Sequence, residues 1–100
     1  MTTVTVHVPA ALRQYCAGAR TLGVEVSDQP ATVAQVLSGL HAAAPGVAER
    51  VVDERGRVRP HVNVFVDGES IRLGACLGLA TPIQPGADIW ILPAVSGGGG

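Results

Sequence analysis

The stretch "HVNVFVDGESIRL" at residues 61–73 decides how this chain folds. Polar and apolar residues alternate on both sides of Asp67 and Gly68, which is the pattern of two paired strands. An Asp-Gly pair between such runs favours a tight turn of type I′, because both of its residues need a positive φ. The segment therefore predicts an antiparallel hairpin with Val62, Val64 and Val66 on its buried side.

Further strands are predicted on either side of this hairpin. Residues 3–8 ("TVTVHV") and residues 21–26 ("TLGVEV") are predicted as a pair of strands, joined by a short helical or turn segment. Residues 88–92 ("DIWIL") are predicted as the last strand, with a Pro-Gly turn before it and a proline after it.

One amphipathic helix separates the first two strands from the hairpin. Thr32 followed by Gln35 fits a capping box at its start, and Pro45 with Gly46 ends it. Apolar residues recur at helical spacing along one side: Val33, Val36, Leu37, Leu40 and Ala44. Residues 46–60 are predicted to form only a short turn of helix and a polar loop, so one helix is available to cover the sheet.

The order strand, strand, helix, strand, strand, strand predicts the α+β class and, within it, a β-grasp (ubiquitin-like) fold. We expect a mixed sheet of about five strands with one main helix packed on one face. The other face is then left to water or to a partner. Residues 1–94 are predicted to form the domain, and residues 95–100 a flexible glycine tail.

Strand alternation also predicts which aromatic residues lie on the uncovered face. If Ile89 and Ile91 belong to the core, Trp90 and Leu92 point outward, as Phe65 does in the hairpin. A register slipped by one residue would instead bury Trp90. An exposed aromatic patch on a small domain more often marks a contact surface than an accident. We therefore predict that Phe65, Trp90 and Leu92 dock a partner.

Composition excludes several function classes. The formal net charge of −1 gives no electrostatic grip on nucleic acid or on an anionic membrane. No apolar run is long enough to cross a bilayer, and the first residues lack the features of a signal peptide, so we expect a cytoplasmic protein. The loop arginines are interpreted as a solvated cluster, with an acidic groove on a partner as the alternative: Arg50, Arg55, Arg57 and Arg59.

No catalytic or metal-binding constellation is recognised in the sequence. Cys16 and Cys76 lie far apart without a CxxC pattern, so we expect neither a disulfide nor a zinc site. The three histidines, His7, His41 and His61, have no spacing typical of metal ligands. We expect no metal, no bound cofactor and no enzymatic activity of its own.

Residues 62–72 ("VNVFVDGESIR") and residues 78–98 ("GLATPIQPGADIWILPAVSGG") resemble the second half of the MoaD/ThiS family of ubiquitin-like sulfur carriers. Residues 30–40 ("PATVAQVLSGL") resemble the capped helix of that family, so the likeness covers nearly the whole chain. The resemblance implies two partners, an E1-like adenylating enzyme of the MoeB/ThiF type that uses ATP and a sulfur-acceptor synthase. It also implies that the terminal carboxylate becomes a thiocarboxylate that donates sulfur.

The tail that the resemblance sends into a partner's active site consists of Val95, Ser96, Gly97, Gly98, Gly99 and Gly100. Extended, these six residues reach roughly 20 Å. The family ends in two glycines, with which Gly97 and Gly98 align. Adenylation is therefore expected at Gly100, or at Gly98 if a C-terminal processing peptidase trims the chain, unless the last two glycines have been added to the natural end.

The resemblance leaves two alternative functions open, the small subunit of molybdopterin synthase and a ubiquitin-like protein modifier. The final sulfur acceptor, whether a cysteine precursor, a thiazole, a pterin or a secondary metabolite, is not encoded in any residue that the sequence offers.

Overall fold

The computed structural model describes residues 2–26, 31–72 and 78–93. The strands, in chain order, are β1 (Thr2–His7), β2 (Thr21–Val26), β3 (Ala31–Thr32), β4 (Val62–Val66), β5 (Glu69–Ser70), β6 (Pro82–Ile83) and β7 (Asp88–Pro93). The helices are α1 (Val33–Ala43) and α2 (Pro45–Val51), with 3₁₀ helices at Ala10–Cys16 and Gly78–Ala80.

The main sheet has five strands in the order β2-β1-β7-β4-β5. The last strand, β7, lies at its centre, parallel to β1 and antiparallel to β4. The pairs β1–β2 and β4–β5 are antiparallel, so the sheet is mixed. This arrangement, with the helices on one face, confirms the predicted β-grasp fold. The short strands β3 and β6 pair with each other in a separate sheet, which the sequence did not predict.

The predicted hairpin is confirmed at its turn. Asp67 has a φ of 48° and Gly68 a φ of 90°, as both central residues of a type I′ turn require. The second strand is shorter than the alternation suggested, because β5 covers only two residues. Beyond it, the Ile71 N–H still donates to the Val64 carbonyl at 3.0 Å, and Ile71 is buried.

Helix α1 begins and ends where the sequence predicted. The Gln35 N–H donates to Thr32 Oγ1 at 3.4 Å, and the Thr32 N–H donates to Gln35 Oε1 at 2.9 Å, which completes the capping box. The helix ends at Ala43, two residues before Pro45. All five predicted apolar positions are buried.

The prediction of a single covering helix was wrong, because α2 also packs on the core. Its residues Val47, Ala48 and Val51 are buried, each at most 2% exposed. Seven residues make only two turns, so the helical period is too short to stand out from the polar loop that follows. Pro45 occupies the first turn of α2, where its missing N–H costs no hydrogen bond.

The core is aliphatic. The side chains of β7, the central strand, alternate between this core and the uncovered face of the sheet. In β7, Ile89 and Ile91 are 0% and 1% exposed, whereas Trp90 and Leu92 are 44% and 39% exposed. The predicted orientation of this strand is therefore confirmed.

Helix α1 approaches the sheet closely at Gly39. A Cβ on this glycine would lie 2.5 Å from Val24 Cγ1. The absence of a side chain therefore sets the distance between α1 and β2.

Candidate docking face and tail exit

Trp90 lies in the middle of the uncovered face, between side chains of the two neighbouring strands. In the sheet register it is opposite His7 of β1 and opposite Phe65 of β4. Phe65 is half-buried rather than fully exposed, since it lies beside Trp90 in the sheet. We call His7, Phe65, Trp90 and Leu92 the aromatic patch.

The His7 ring stacks on the Trp90 indole. Their centroids are 3.8 Å apart and their planes differ by 2°. His7 Nε2 also lies 2.9 Å from Asp88 Oδ1, and a neutral imidazole can make that hydrogen bond only with its proton on Nε2. The ring is thus held by a carboxylate at one edge and by an indole at one face, which restricts its orientation.

The start of β7 is joined to the turn of the hairpin by two hydrogen bonds. The Asp88 N–H donates to Asp67 Oδ1 at 3.0 Å, and the Asp67 N–H donates to the Asp88 carbonyl at 2.9 Å. Asp67 thus does more than adopt the positive φ that the turn needs. It fixes the position of Asp88, and through Asp88 that of the imidazole.

The end of β7 lies beside an apolar groove that the sequence did not predict. Pro9 and Leu12 line it together with Tyr15, Leu92 and Pro93. The Arg50 guanidinium from α2 lies 3.7 Å from the centre of the Tyr15 ring, a cation–π contact between residues 35 positions apart. The third aromatic residue of the chain is therefore on the surface as well, at the end of the domain where the tail leaves.

The arginine loop after α2 is organised around a carboxylate. Asp53 Oδ1 accepts hydrogen bonds from the backbone N–H groups of Arg57 at 3.0 Å and Arg55 at 2.9 Å. These two hydrogen bonds, that of Arg57 first, together with the charges of Arg57 and Arg59, hold the pKa of Asp53 below its ordinary value against a smaller effect of desolvation. The exposure of Arg55 and Arg57 agrees with the interpretation of a solvated cluster.

The predicted tail lies outside the described residues. This applies to Val95, Ser96 and the four glycines, and therefore to both expected adenylation sites, Gly100 and Gly98. Cys76 lies outside them too, whereas Cys16 is a half-buried free thiol.

Within the described ranges, no group of three or more potential metal-ligating side chains comes together. No helix in the same ranges is long and apolar enough to span a membrane. In the patch, His7 and Asp88 bond to each other, whereas Asp53 and Arg59 of the arginine loop line a surface cavity together with His41, Glu49 and Glu54.

The fold agrees with what the chain resembles among known proteins. It is 38% identical over 97 residues to the sulfur carrier protein CysO of Mycobacterium tuberculosis, covering 95% of this chain and 98% of that protein. It is 40% identical over 82 residues to small archaeal modifier protein 1 of Haloferax volcanii, covering 82% and 86% of the two chains. A chain of the Amycolatopsis orientalis BexX/CysO complex superposes with a TM-score of 0.77 at 32% identity, covering 95% and 99%.

These comparisons define the chain as a ubiquitin-like β-grasp protein of the sulfur carrier and modifier type. The model of the ThiS family matches residues 6–98, and the chain belongs to the ThiS family. The family resemblance predicted from the sequence is thus confirmed.

Proposed function

We propose that this protein is a sulfur carrier whose C-terminal glycine is adenylated with ATP by an E1-like enzyme and converted to a thiocarboxylate. The thiocarboxylate then donates its sulfur to an acceptor enzyme of a biosynthetic pathway. On this proposal the protein acts in the cytoplasm as a co-substrate of other enzymes, and the bound nucleotide belongs to the activating enzyme.

One observation carries the proposal: the strand that exposes Trp90 and Leu92 is also the strand that leads into the glycine tail. β7 ends at Pro93, and residues 94–100 follow with the sequence "AVSGGGG". Seven extended residues reach at most about 25 Å beyond the strand. A partner that binds the aromatic patch is therefore within reach of the terminal carboxyl group.

The chemistry explains why the tail is built from glycine. A carboxylate is a poor electrophile, so ATP first converts it to an acyl adenylate, with release of pyrophosphate. A sulfur nucleophile then attacks the carbonyl carbon, and AMP leaves with the electron pair of the broken C–O bond. Glycine has no Cβ, so a narrow channel can admit the chain to the reacting atom. That atom is the carboxyl carbon of Gly100, or of Gly98 after trimming.

We further propose that the adenylating enzyme, of the MoeB/ThiF type, and the acceptor synthase dock on the aromatic patch in turn. Exposed aromatic side chains are typical anchors of protein interfaces. The BexX/CysO complex of Amycolatopsis orientalis supports a partner enzyme for a protein of this fold. Sequential use of one face would let two enzymes share a single tail.

Intact-mass spectrometry tests the proposed function. The protein is incubated with ATP, sulfide and a MoeB/ThiF-type enzyme, and we expect a gain of about 16 Da, since one oxygen is replaced by sulfur. Deletion of residues 97–100 should abolish the gain and leave the melting temperature unchanged, because glycines bury no side chain. A truncated protein that still gains sulfur, or that unfolds, would contradict the role of the tail.

A ubiquitin-like modifier is the second candidate, favoured by the similarity to the archaeal modifier protein. The same adenylate would then be attacked by a lysine amine of another protein instead of by sulfur. All seven basic residues of this chain are arginines, so no lysine in it could accept a further copy. Isopeptide-linked adducts on other proteins, without the sulfur-dependent mass gain, would support the modifier and contradict the carrier.

A further inference from the structure

We propose that docking of a partner on the aromatic patch is linked to protonation of His7, which acts as a positioning residue for Trp90. The inference rests on the proposed docking role of the patch. It concerns the protonation state of the His7 imidazole rather than the chemistry of the tail.

Both contacts of His7 become stronger when its ring carries a charge. The ring lies flat against the indole at 3.8 Å, and an imidazolium in that position adds a cation–π attraction. Its Nε2 already faces Asp88 Oδ1 at 2.9 Å, so protonation of the ring turns a hydrogen bond to a carboxylate into an ion pair. The charged ring therefore holds Trp90 in one orientation more firmly than the neutral ring does.

A docked partner increases the difference between the two protonation states. The Asp88 side chain is 54% exposed and the His7 side chain 22% exposed in the free protein. A protein that covers Trp90 also removes water from Asp88, which lies two residues earlier on the same face of β7. A desolvated carboxylate beside a neutral ring is costly, whereas a carboxylate paired with an imidazolium is compensated. Docking should therefore take up a proton.

Asp88 is the charged group that contacts His7, and the other charged groups near this face lie on neighbouring elements. Besides Asp88 on β7, the Asp67 carboxylate lies in the adjoining turn and accepts from the Asp88 N–H. On β2, Glu25 is exposed opposite Thr3, and Arg20 immediately precedes the strand. Asp88 is thus the carboxylate in contact with His7, whereas Glu25 pairs with Thr3, four residues from His7 along β1, so the sign of the linkage rests on the pair with Asp88.

Fluorescence of the isolated protein tests the first half of the inference, with no partner present. Trp90 is the only tryptophan of the chain, so the tryptophan fluorescence comes from this one side chain. We expect its fluorescence to fall as pH is lowered from about 8 to about 5, where histidine gains its charge. His7→Gln keeps an N–H donor for Asp88 but cannot titrate, and should abolish the change. His41→Gln and His61→Gln are the controls and should retain it.

A flat wild-type titration, or the same transition in His7→Gln, would overturn the proposal at this stage. Thermal melts of each variant across the same pH range separate a change at Trp90 from acid unfolding, since unfolding would alter the fluorescence of all variants together.

Affinity for the MoeB/ThiF-type enzyme, measured against pH, tests the second half. We expect wild-type binding to weaken about tenfold between about pH 5.5 and about pH 7.5, within the limit that one linked proton allows. His7→Gln should bind with little dependence on pH. Asp88→Asn, which keeps the backbone bonds to Asp67 but removes the charge, should have a reduced dependence.

Trp90→Ser distinguishes the failure of this inference from the failure of the docking proposal. If Trp90→Ser loses affinity but wild type and His7→Gln show the same pH dependence, the patch docks the enzyme and the proton linkage is wrong. If Trp90→Ser binds as tightly as wild type, both the docking role and the linkage are wrong.

Discussion

The two faces of the main sheet carry alternate side chains of the same strands, and they differ in burial. On the covered face, Ile89 and Ile91 pack into an aliphatic core and are almost fully buried. On the uncovered face, the alternate residues Trp90 and Leu92 remain substantially exposed. Since successive side chains of a strand point to opposite sides, neighbouring residues of β7 lie in different environments. Folding stability should therefore depend on one set and partner recognition on the other.

The sharpest test of this division compares two adjacent residues. Ile91→Ala should destabilise the protein by about 3–4 kcal/mol, because it removes a buried side chain and leaves a cavity. Leu92→Ala is the matched control and should cost less than about 1 kcal/mol. Denaturant unfolding of both variants measures the difference, and equal losses would mean that the faces are not separated as described.

Polar replacement of the outward aromatic residues should lower partner affinity more than it lowers folding stability. Trp90→Ser should lower affinity for the activating enzyme by about 2 kcal/mol, as expected for an interface anchor. Its stability should change by only about 1 kcal/mol, mainly through the lost stack on His7. Phe65→Ser, at a half-buried site, should cost more stability than Trp90→Ser. Melting temperatures and affinities of the same samples decide the matter, and a collapse of Trp90→Ser on heating would place this residue with the core.

Gly39 tests how tightly the covered face is packed. A Cβ at this position would lie 2.5 Å from Val24 Cγ1 and 3.4 Å from the Glu25 carbonyl oxygen. Gly39→Ala should therefore destabilise by about 1–2 kcal/mol, after the better helix propensity of alanine is included. Ser38→Ala, at the preceding exposed position, should be neutral or slightly stabilising. A Gly39→Ala protein as stable as wild type would show that α1 can move away from β2.

The smallest effect is expected at Asp53, which lies away from both faces of the sheet. Its pKa is lowered in the folded protein, so its contribution to stability is present above the ordinary value of 3.8 and is lost as pH falls through the folded pKa. Asp53→Asn should slightly lower the unfolding midpoint at neutral pH and match wild type in acid. Glu54→Gln, an exposed neighbour, is the control. A difference that persists at low pH would exclude the carboxylate as its source.

Local patterns in the sequence were sufficient for most of the fold. The Asp67–Gly68 turn, the Thr32 capping box and the alternation in β7 each depend on residues a few positions apart, and each is confirmed. The separate pairing of β3 with β6 could not be predicted in this way, because two residues are too few to show a period. The same limit concealed the buried side of α2.

The candidate site is less accessible to sequence reasoning, because its contacts join distant parts of the chain. His7 and Asp88 are 81 positions apart, and they meet only because β1 lies parallel to β7 in a particular register. The contact of Arg50 with Tyr15 likewise depends on how α2 packs against the 3₁₀ helix. Alternation predicts which face Trp90 occupies, but only the register of the strands determines what it touches.

The central position of β7 also has a mechanical consequence. On the proposed function, an enzyme draws the tail into a channel and so pulls on this strand along its length. Because β7 is hydrogen-bonded to β1 on one side and to β4 on the other, such a force loads both ladders in shear. Many hydrogen bonds must then break together rather than one after another, as they would if an edge strand were peeled away. The domain should therefore remain folded while its tail is threaded, held and withdrawn in each round of transfer.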